Sequence, residues 1–151
     1  RCRPCTYNAS RSPMAAAICA ALYPGKHAIR SVGVFSGIPV EPYAVAAAEE
    51  IGLDLSDHHP QSFTDLETWG DDIGAYDLIV TLSPAAHSHA LEFTRFTDVA
   101  VVYWPTVDPT AEEGGEDARR EAFRATRDSL YARIKTELRN GFRAADTDGA
   151  L

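Results

Sequence analysis

The chain has 151 residues, 45% of them hydrophobic and 24% charged, with a formal net charge of -8. That is enough apolar material for one core in one domain, and the acidic balance argues against a nucleic-acid or anionic-membrane surface. No apolar run approaches the roughly 20 residues needed to cross a bilayer and no secretory apolar segment opens the chain, so a cytoplasmic protein is expected.

The chain begins Arg1-Cys2-Arg3-Pro4 and continues Cys5-Thr6-Tyr7-Asn8-Ala9-Ser10-Arg11-Ser12-Pro13. Ser12 is a good helix N-cap and Pro13 suits the first helical position, so the loop is expected to wrap just ahead of a helix N-terminus. Free N–H groups and the positive end of the helix dipole favour an anion there. The same field lowers the pKa of Cys5, so that the thiolate nucleophile is present near neutral pH. Arg11 can grip two oxygens of a phosphoryl group at once with its planar guanidinium, which lysine cannot do. The bare spacing also fits a small buried cysteine near a solvated arginine. Cys2-x-x-Cys5 alone fits a dithiol or half a zinc site, but the first needs a preceding strand and the second two further ligands. The three cysteines, Cys2, Cys5 and Cys19, make no disulfide framework in a chain of this kind.

Residues 12–22 are Ala-rich and helical by propensity, with Cys19 on the face of Ala15 and Leu22, where core packing is its expected role. Pro24-Gly25 ends that helix. Residues 28–34 read as a strand and residues 43–51 as a second helix, stopped by Gly52. Residues 61–75 read as a polar connection anchored by Phe63, Leu66 and Trp69. Asp77-Leu78-Ile79-Val80-Thr81-Leu82 is the clearest buried strand. Ser83-Pro84 caps a third helix to about Phe93, on which His87 and His89 are spaced for different faces and not for a metal. Residues 99–104 read as a last strand, followed by the loop Pro105-Thr106-Val107-Asp108-Pro109-Thr110. Residues 116–139 form an amphipathic helix burying Phe123, Leu130, Ile134 and Leu138, with Asn140-Gly141 ending it. Residues 141–151 are expected to be a disordered tail, leaving residues 1–140 as the domain.

Several of these segments together resemble the low-molecular-weight protein tyrosine phosphatases and the arsenate reductases that share their fold. Cys-Thr-x-Asn-x-x-Arg-Ser-Pro-Met is similar to that family's active-site loop. Ser31-Val32-Gly33 resembles its Ser-x-Gly segment, Asp54-Leu55-Ser56-Asp57-His58 its Leu-Ser-x-His segment, and Asp108-Pro109 its general-acid motif. The resemblance implies one α/β domain: a doubly wound, four-stranded parallel sheet of order 2-1-3-4 with helices on both faces. An apolar first strand should then feed the loop, and Arg1 to Pro4 do not supply one, so that strand is expected to be truncated or degenerate. The missing initial methionine suggests a truncated or misassigned start.

The resemblance also implies a chemistry. Cys5 would attack phosphorus, Arg11 and the amides of Thr6, Tyr7, Asn8, Ala9, Ser10 and Ser12 would hold the oxygens, and Asp108 would protonate the leaving group. Ser12 would also stabilise the thiolate through its hydroxyl, and Asn8 would be supported by Ser31 and His58. No metal or organic cofactor is implied. The expected substrate is a phosphorylated protein or small aryl phosphate. Two departures bear on it: the phosphotyrosine enzymes usually place Tyr where Thr110 stands, and a bulky aromatic where Ser36-Gly37-Ile38 stands, although Tyr7, Phe35 or Tyr103 could supply a wall. The alternative is arsenate reduction completed by an external thiol (mycothiol, glutathione or glutaredoxin), since Ser83 stands where thioredoxin-coupled reductases carry a resolving cysteine. A non-catalytic oxyanion-binding module is the third reading.

Overall fold

A computed structural model describes residues 9–25 and 29–139. In chain order it has helices α1 (Arg11–Leu22), α2 (Pro42–Glu49) and α3 (Phe63–Thr68), strand β1 (Leu78–Thr81), helix α4 (Pro84–Phe93), strand β2 (Ala100–Tyr103) and helix α5 (Glu116–Glu137). Short 3₁₀ turns lie at Ile73–Ala75 and Pro109–Ala111.

β1 and β2 pair in parallel, with Leu78 opposite Ala100 and Thr81 opposite Tyr103. Alternation along the strands divides the core into two layers. Leu78, Val80, Leu82, Val102 and Trp104 pack with Met14 and Ile18 of α1, Ala44 and Ala47 of α2, and Phe123, Leu130 and Ile134 of α5. Ile79 and Val101 point the other way, towards Phe63 of α3, Ile73, and Ala90 of α4. Apolar side chains on both faces of a parallel pair are what helices on both faces require. The chain is therefore an α/β fold with a parallel sheet covered on two sides.

The sheet among the described residues has two strands, not four. Of the strand expected at residues 28–34, Ala28 lies outside the described residues, and the rest contributes only a parallel bridge between Gly33 and Ser62. Gly33 N donates to the Gln61 carbonyl and Phe63 N to the Gly33 carbonyl. A strand needs a ladder partner, and among the described residues this segment meets one only in the residues leading into α3. The expected first strand also lies outside the described residues, as does the tail from residue 141.

Three local expectations shift. α1 begins at Arg11, not Ser12, and Ser10 takes the N-cap position without a side-chain capping bond. Pro13 thus lies within the first turn, where its missing N–H still costs no helical hydrogen bond. The polar connection contains α3, opened by a capping box in which Ser62 Oγ accepts from Asp65 N and Asp65 accepts from Ser62 N. Phe63 and Leu66 are buried as expected, but Trp69 is 68% exposed and anchors nothing. It follows the last turn of a six-residue helix, and the left-handed Gly70 then turns the chain away.

α5 packs against both α1 and α2. Its carboxylates Glu116 and Asp117 lie in the first turn and Lys135 in the last, which suits the dipole. Leu138, expected on its buried stripe, is half-buried at the C-cap.

Candidate active site

The carboxyl end of the sheet and the N-terminus of α1 meet at Arg11. Its side chain is buried, and Nη1 donates to the carbonyls of Leu82, at 3.3 Å, and Thr106. Leu82 follows β1 and Thr106 lies in the loop after β2, so one guanidinium ties both strand ends to the helix start. Nη2 stands 3.9 Å from Asp108 Oδ2. Burial pushes the Arg11 pKa down, against the opposing pull of Asp108 and then Tyr103. An arginine stays protonated even so, because its intrinsic pKa is far above neutrality.

Arg11 Nε and Ser10 Oγ are buried and have no hydrogen-bond partner among the described residues. Such atoms are uncommon in folded proteins, because each forfeits solvation. Both belong to the first residues of α1, where backbone N–H groups also lack intrahelical acceptors. Among the described residues, Ser10, Arg11 and Ser12 line one concave surface together with Ser31 and Ser83. Backbone donors at a helix N-terminus, beside a buried cation, are an arrangement that can hold an oxyanion.

Asp108 begins the 3₁₀ turn Pro109–Ala111. Its Oδ1 accepts from Thr110 N at 3.0 Å and from Thr110 Oγ1 at 2.7 Å. Asp108 Oδ2 is the oxygen that stands 3.9 Å from Arg11 Nη2. On the other side of the loop, the buried Ala9 offers its carbonyl to Glu41 N at 2.7 Å, which joins the loop end to the start of α2.

Of the sequence-predicted site residues, Ala9, Ser10, Arg11, Ser12 and Asp108 are described, and Arg11 and Asp108 are brought together. Cys5, Thr6, Tyr7 and Asn8 lie outside the described residues, as does Cys2. Ser31 accepts from Gln61 Nε2 at its carbonyl, and His58 N donates to the Leu55 carbonyl, closing the turn that Asp54 stabilises by accepting from Ser56. His87 and His89 go separate ways. His87 Nδ1 is 3.0 Å from Thr81 Oγ1 and its ring stacks on Tyr103, whereas His89 packs between Phe63 and Phe93.

Sequence reasoning missed the acceptors of Arg11, because main-chain carbonyls of Leu82 and Thr106 leave no trace in side-chain chemistry. It also missed the double contact from Thr110, which was findable: an Asp accepting from the residue two ahead is an ordinary Asx turn.

The sequence profile of the family described as "Low molecular weight phosphotyrosine protein phosphatase" matches residues 4–140. The chain belongs to that family. Its relatives carry both names that the loop suggests. An arsenate reductase of Brevibacillus brevis is 36% identical over 135 residues, 87% of each chain. A probable low molecular weight protein-tyrosine-phosphatase EpsP of Ralstonia solanacearum is 35% identical over 82 residues, 54% of this chain and 53% of the relative. Among solved structures, the tyrosine phosphatase amsI of Erwinia amylovora superposes with a TM-score of 0.72 at 21% identity, covering 92% of this chain and 90% of the other. That likeness concerns the fold. An arsenate reductase in the phosphate binding state superposes at 0.68 with 26% identity, covering 87% and 89%. Among the described residues of this family member, no helix is long and apolar enough to cross a membrane.

Proposed function

We propose that this member of the family is a cytoplasmic phosphomonoester hydrolase of the protein tyrosine phosphatase type, acting on a phosphorylated protein or a small aryl phosphate. The observation that carries the reading is the buried Arg11, whose Nη2 stands 3.9 Å from the Asp108 carboxylate on an adjoining loop and whose Nε, like Ser10 Oγ, has no partner among the described residues. An oxyanion receptor coupled to an acid is what phosphoryl transfer from an ester needs.

The Cys5 thiolate attacks phosphorus in line, forming the S–P bond as the P–O bond to the leaving group breaks. The electron pair of that bond departs on oxygen, and Asp108 supplies the proton. Arg11 and the loop amides of Thr6, Tyr7, Asn8, Ala9, Ser10 and Ser12 hold the equatorial oxygens, while Ser12 stabilises the sulfur. Ionised Asp108 then takes a proton from water, which attacks the cysteinyl-phosphate and returns the thiolate with release of phosphate. Ser31 and His58 support Asn8. The domain is residues 1–140, followed by a tail, and its sheet has the order 2-1-3-4 with the loop leaving a central first strand.

The likeness to arsenate reductases favours a second reading on the same loop. Cys5 attacks arsenic with loss of water, and an external thiol such as mycothiol, glutathione or glutaredoxin attacks the Cys5 sulfur. Two thiols become a disulfide as arsenate becomes arsenite.

Aryl phosphate turnover and thiol-dependent arsenate reduction, measured on one preparation, separate the two. Under the first reading the hydrolysis dominates, and Cys5→Ser abolishes it while keeping oxyanion affinity, since a serine hydroxyl is not ionised at working pH. Appreciable hydrolysis by Cys5→Ser removes Cys5 from the mechanism. Arsenate reduction without hydrolysis selects the second reading, and binding without either reaction leaves an oxyanion-binding module.

A further inference from the structure

Asp108 has two carboxylate oxygens with different surroundings. Oδ1 is engaged by two donors from one residue, Thr110 N at 3.0 Å and Thr110 Oγ1 at 2.7 Å. Oδ2 faces the Arg11 guanidinium, with Nη2 at 3.9 Å, a separation too long for a hydrogen bond. The backbone N–H of Thr110 can only donate, so a proton placed on Oδ1 would oppose it.

We propose that Thr110 is a positioning residue for proton transfer: its hydroxyl and N–H occupy Oδ1 and so direct the acidic proton of Asp108 to Oδ2, on the side of Arg11. The inference rests on the reading of Asp108 as general acid and goes beyond it, because it assigns a role to the residue that follows Asp-Pro. As the P–O bond to the leaving group breaks, the oxygen leaves with the bonding pair and takes the proton from Oδ2, while Asp108 becomes a carboxylate. Both Thr110 bonds to Oδ1 can persist through this change, because Oδ1 is an acceptor in the acid and in the carboxylate alike. Without the hydroxyl, the single N–H bond leaves the carboxyl freer to turn, and fewer molecules present the proton towards the leaving oxygen.

Wild type, Thr110→Val, Thr110→Ala, Thr110→Ser and Asp108→Asn are compared by kcat/KM across aryl phosphates, from p-nitrophenyl phosphate to phenyl phosphate, with thermal melts checking the fold. Thr110→Val should lose about ten-fold on phenyl phosphate, the worth of one hydrogen bond, and change p-nitrophenyl phosphate hydrolysis little, because only a poor leaving group needs the proton. Thr110→Ala should repeat this pattern, and Thr110→Ser should restore turnover of phenyl phosphate to near wild type. A merely structural threonine would lower all substrates alike or shift the melt alone. If Asp108→Asn shows the leaving-group dependence and both hydroxyl-free variants do not, the role of Thr110 is overturned while the acid stands. If Asp108→Asn lacks it, or wild type hydrolyses none of the series, the acid assignment fails and the proposal fails with it.

Discussion

Arg11 Nη2 stands 3.9 Å from Asp108 Oδ2, a pairing of opposite charges that relates the N-terminus of α1 to the loop after β2 across 97 positions of sequence. The same guanidinium reaches the Leu82 and Thr106 carbonyls through Nη1. One planar cation therefore serves the fold through Nη1 and faces the acid through Nη2, and its Nε has no partner among the described residues.

Arg11→Lys should fail at both tasks. A single ammonium can neither reproduce the fork nor hold two phosphoryl oxygens in one plane. Turnover of an aryl phosphate should fall by about 100-fold or more, the usual cost of losing a preorganised donor at a transition state. Stability should fall by about 1–3 kcal/mol if a strand-end carbonyl is left buried and unpaired. Steady-state kinetics and a denaturant melt on the same sample measure the two effects, and wild-type values in both would show that the fork is not used.

Ser83 caps α4, with its Oγ accepting from Ala86 N at 3.2 Å, and the residue is buried. Its role is architectural, so Ser83→Ala should cost about 1 kcal/mol of stability. Cys19 is half-buried, and burial pushes its thiol pKa up, which lowers the thiolate available for attack. Thioredoxin alone should therefore not drive arsenate reduction by this chain. A trapped disulfide between Cys5 and either Cys2 or Cys19 during efficient thioredoxin-coupled turnover would reverse that conclusion.

The contact of α2 with α5 carries a pH dependence. Glu50 accepts from Arg124 Nε at 2.8 and 2.9 Å and from Arg127 Nη1 at 2.9 Å, and Arg127 also donates to the Ala47 carbonyl. The Arg124 hydrogen bonds foremost, opposed next by desolvation and helped then by the Arg124 charge and by Arg127, hold the Glu50 carboxyl below its usual range. Between its folded and unfolded pKa values the unfolded chain binds more protons, so stability rises with pH through that window. The contribution is complete above the unfolded value of about 4.3 and is lost as the pH falls through the folded value. The Tm of wild type should thus exceed that of Glu50→Gln at neutral pH, with the gap narrowing in acid and in high salt. A gap that stays constant from neutral pH into acid would assign the effect to packing.

Much of the architecture is written in short-range pattern. The apolar run 77–82, the helix signals Ser83-Pro84 and the four-residue spacing of Leu130, Ile134 and Leu138 each depend on neighbours within about one helical turn or one pleat, which is why they could be read without a fold. The Cys-x5-Arg loop and Asp108-Pro109 were legible for another reason: their chemistry restricts residue type and spacing. The N-cap of α1 was off by two residues because Ser10 and Ser12 are equivalent as caps in sequence, and only the path of the chain chooses between them.

What tertiary structure alone decided is long-range. Residues 29–34 have the composition of a strand, yet whether they ladder depends on which chain lies beside them, and among the described residues Ser62 is the partner that Gly33 meets. Trp69 is apolar enough to anchor a core, but the direction in which α3 ends leaves it in solvent. Arg11 finds its carbonyl acceptors 71 and 95 positions away. A helix satisfies its backbone from residues four along, and sequence specifies that directly; a sheet edge and a buried guanidinium take their partners from whatever the fold brings near, and no local pattern encodes them.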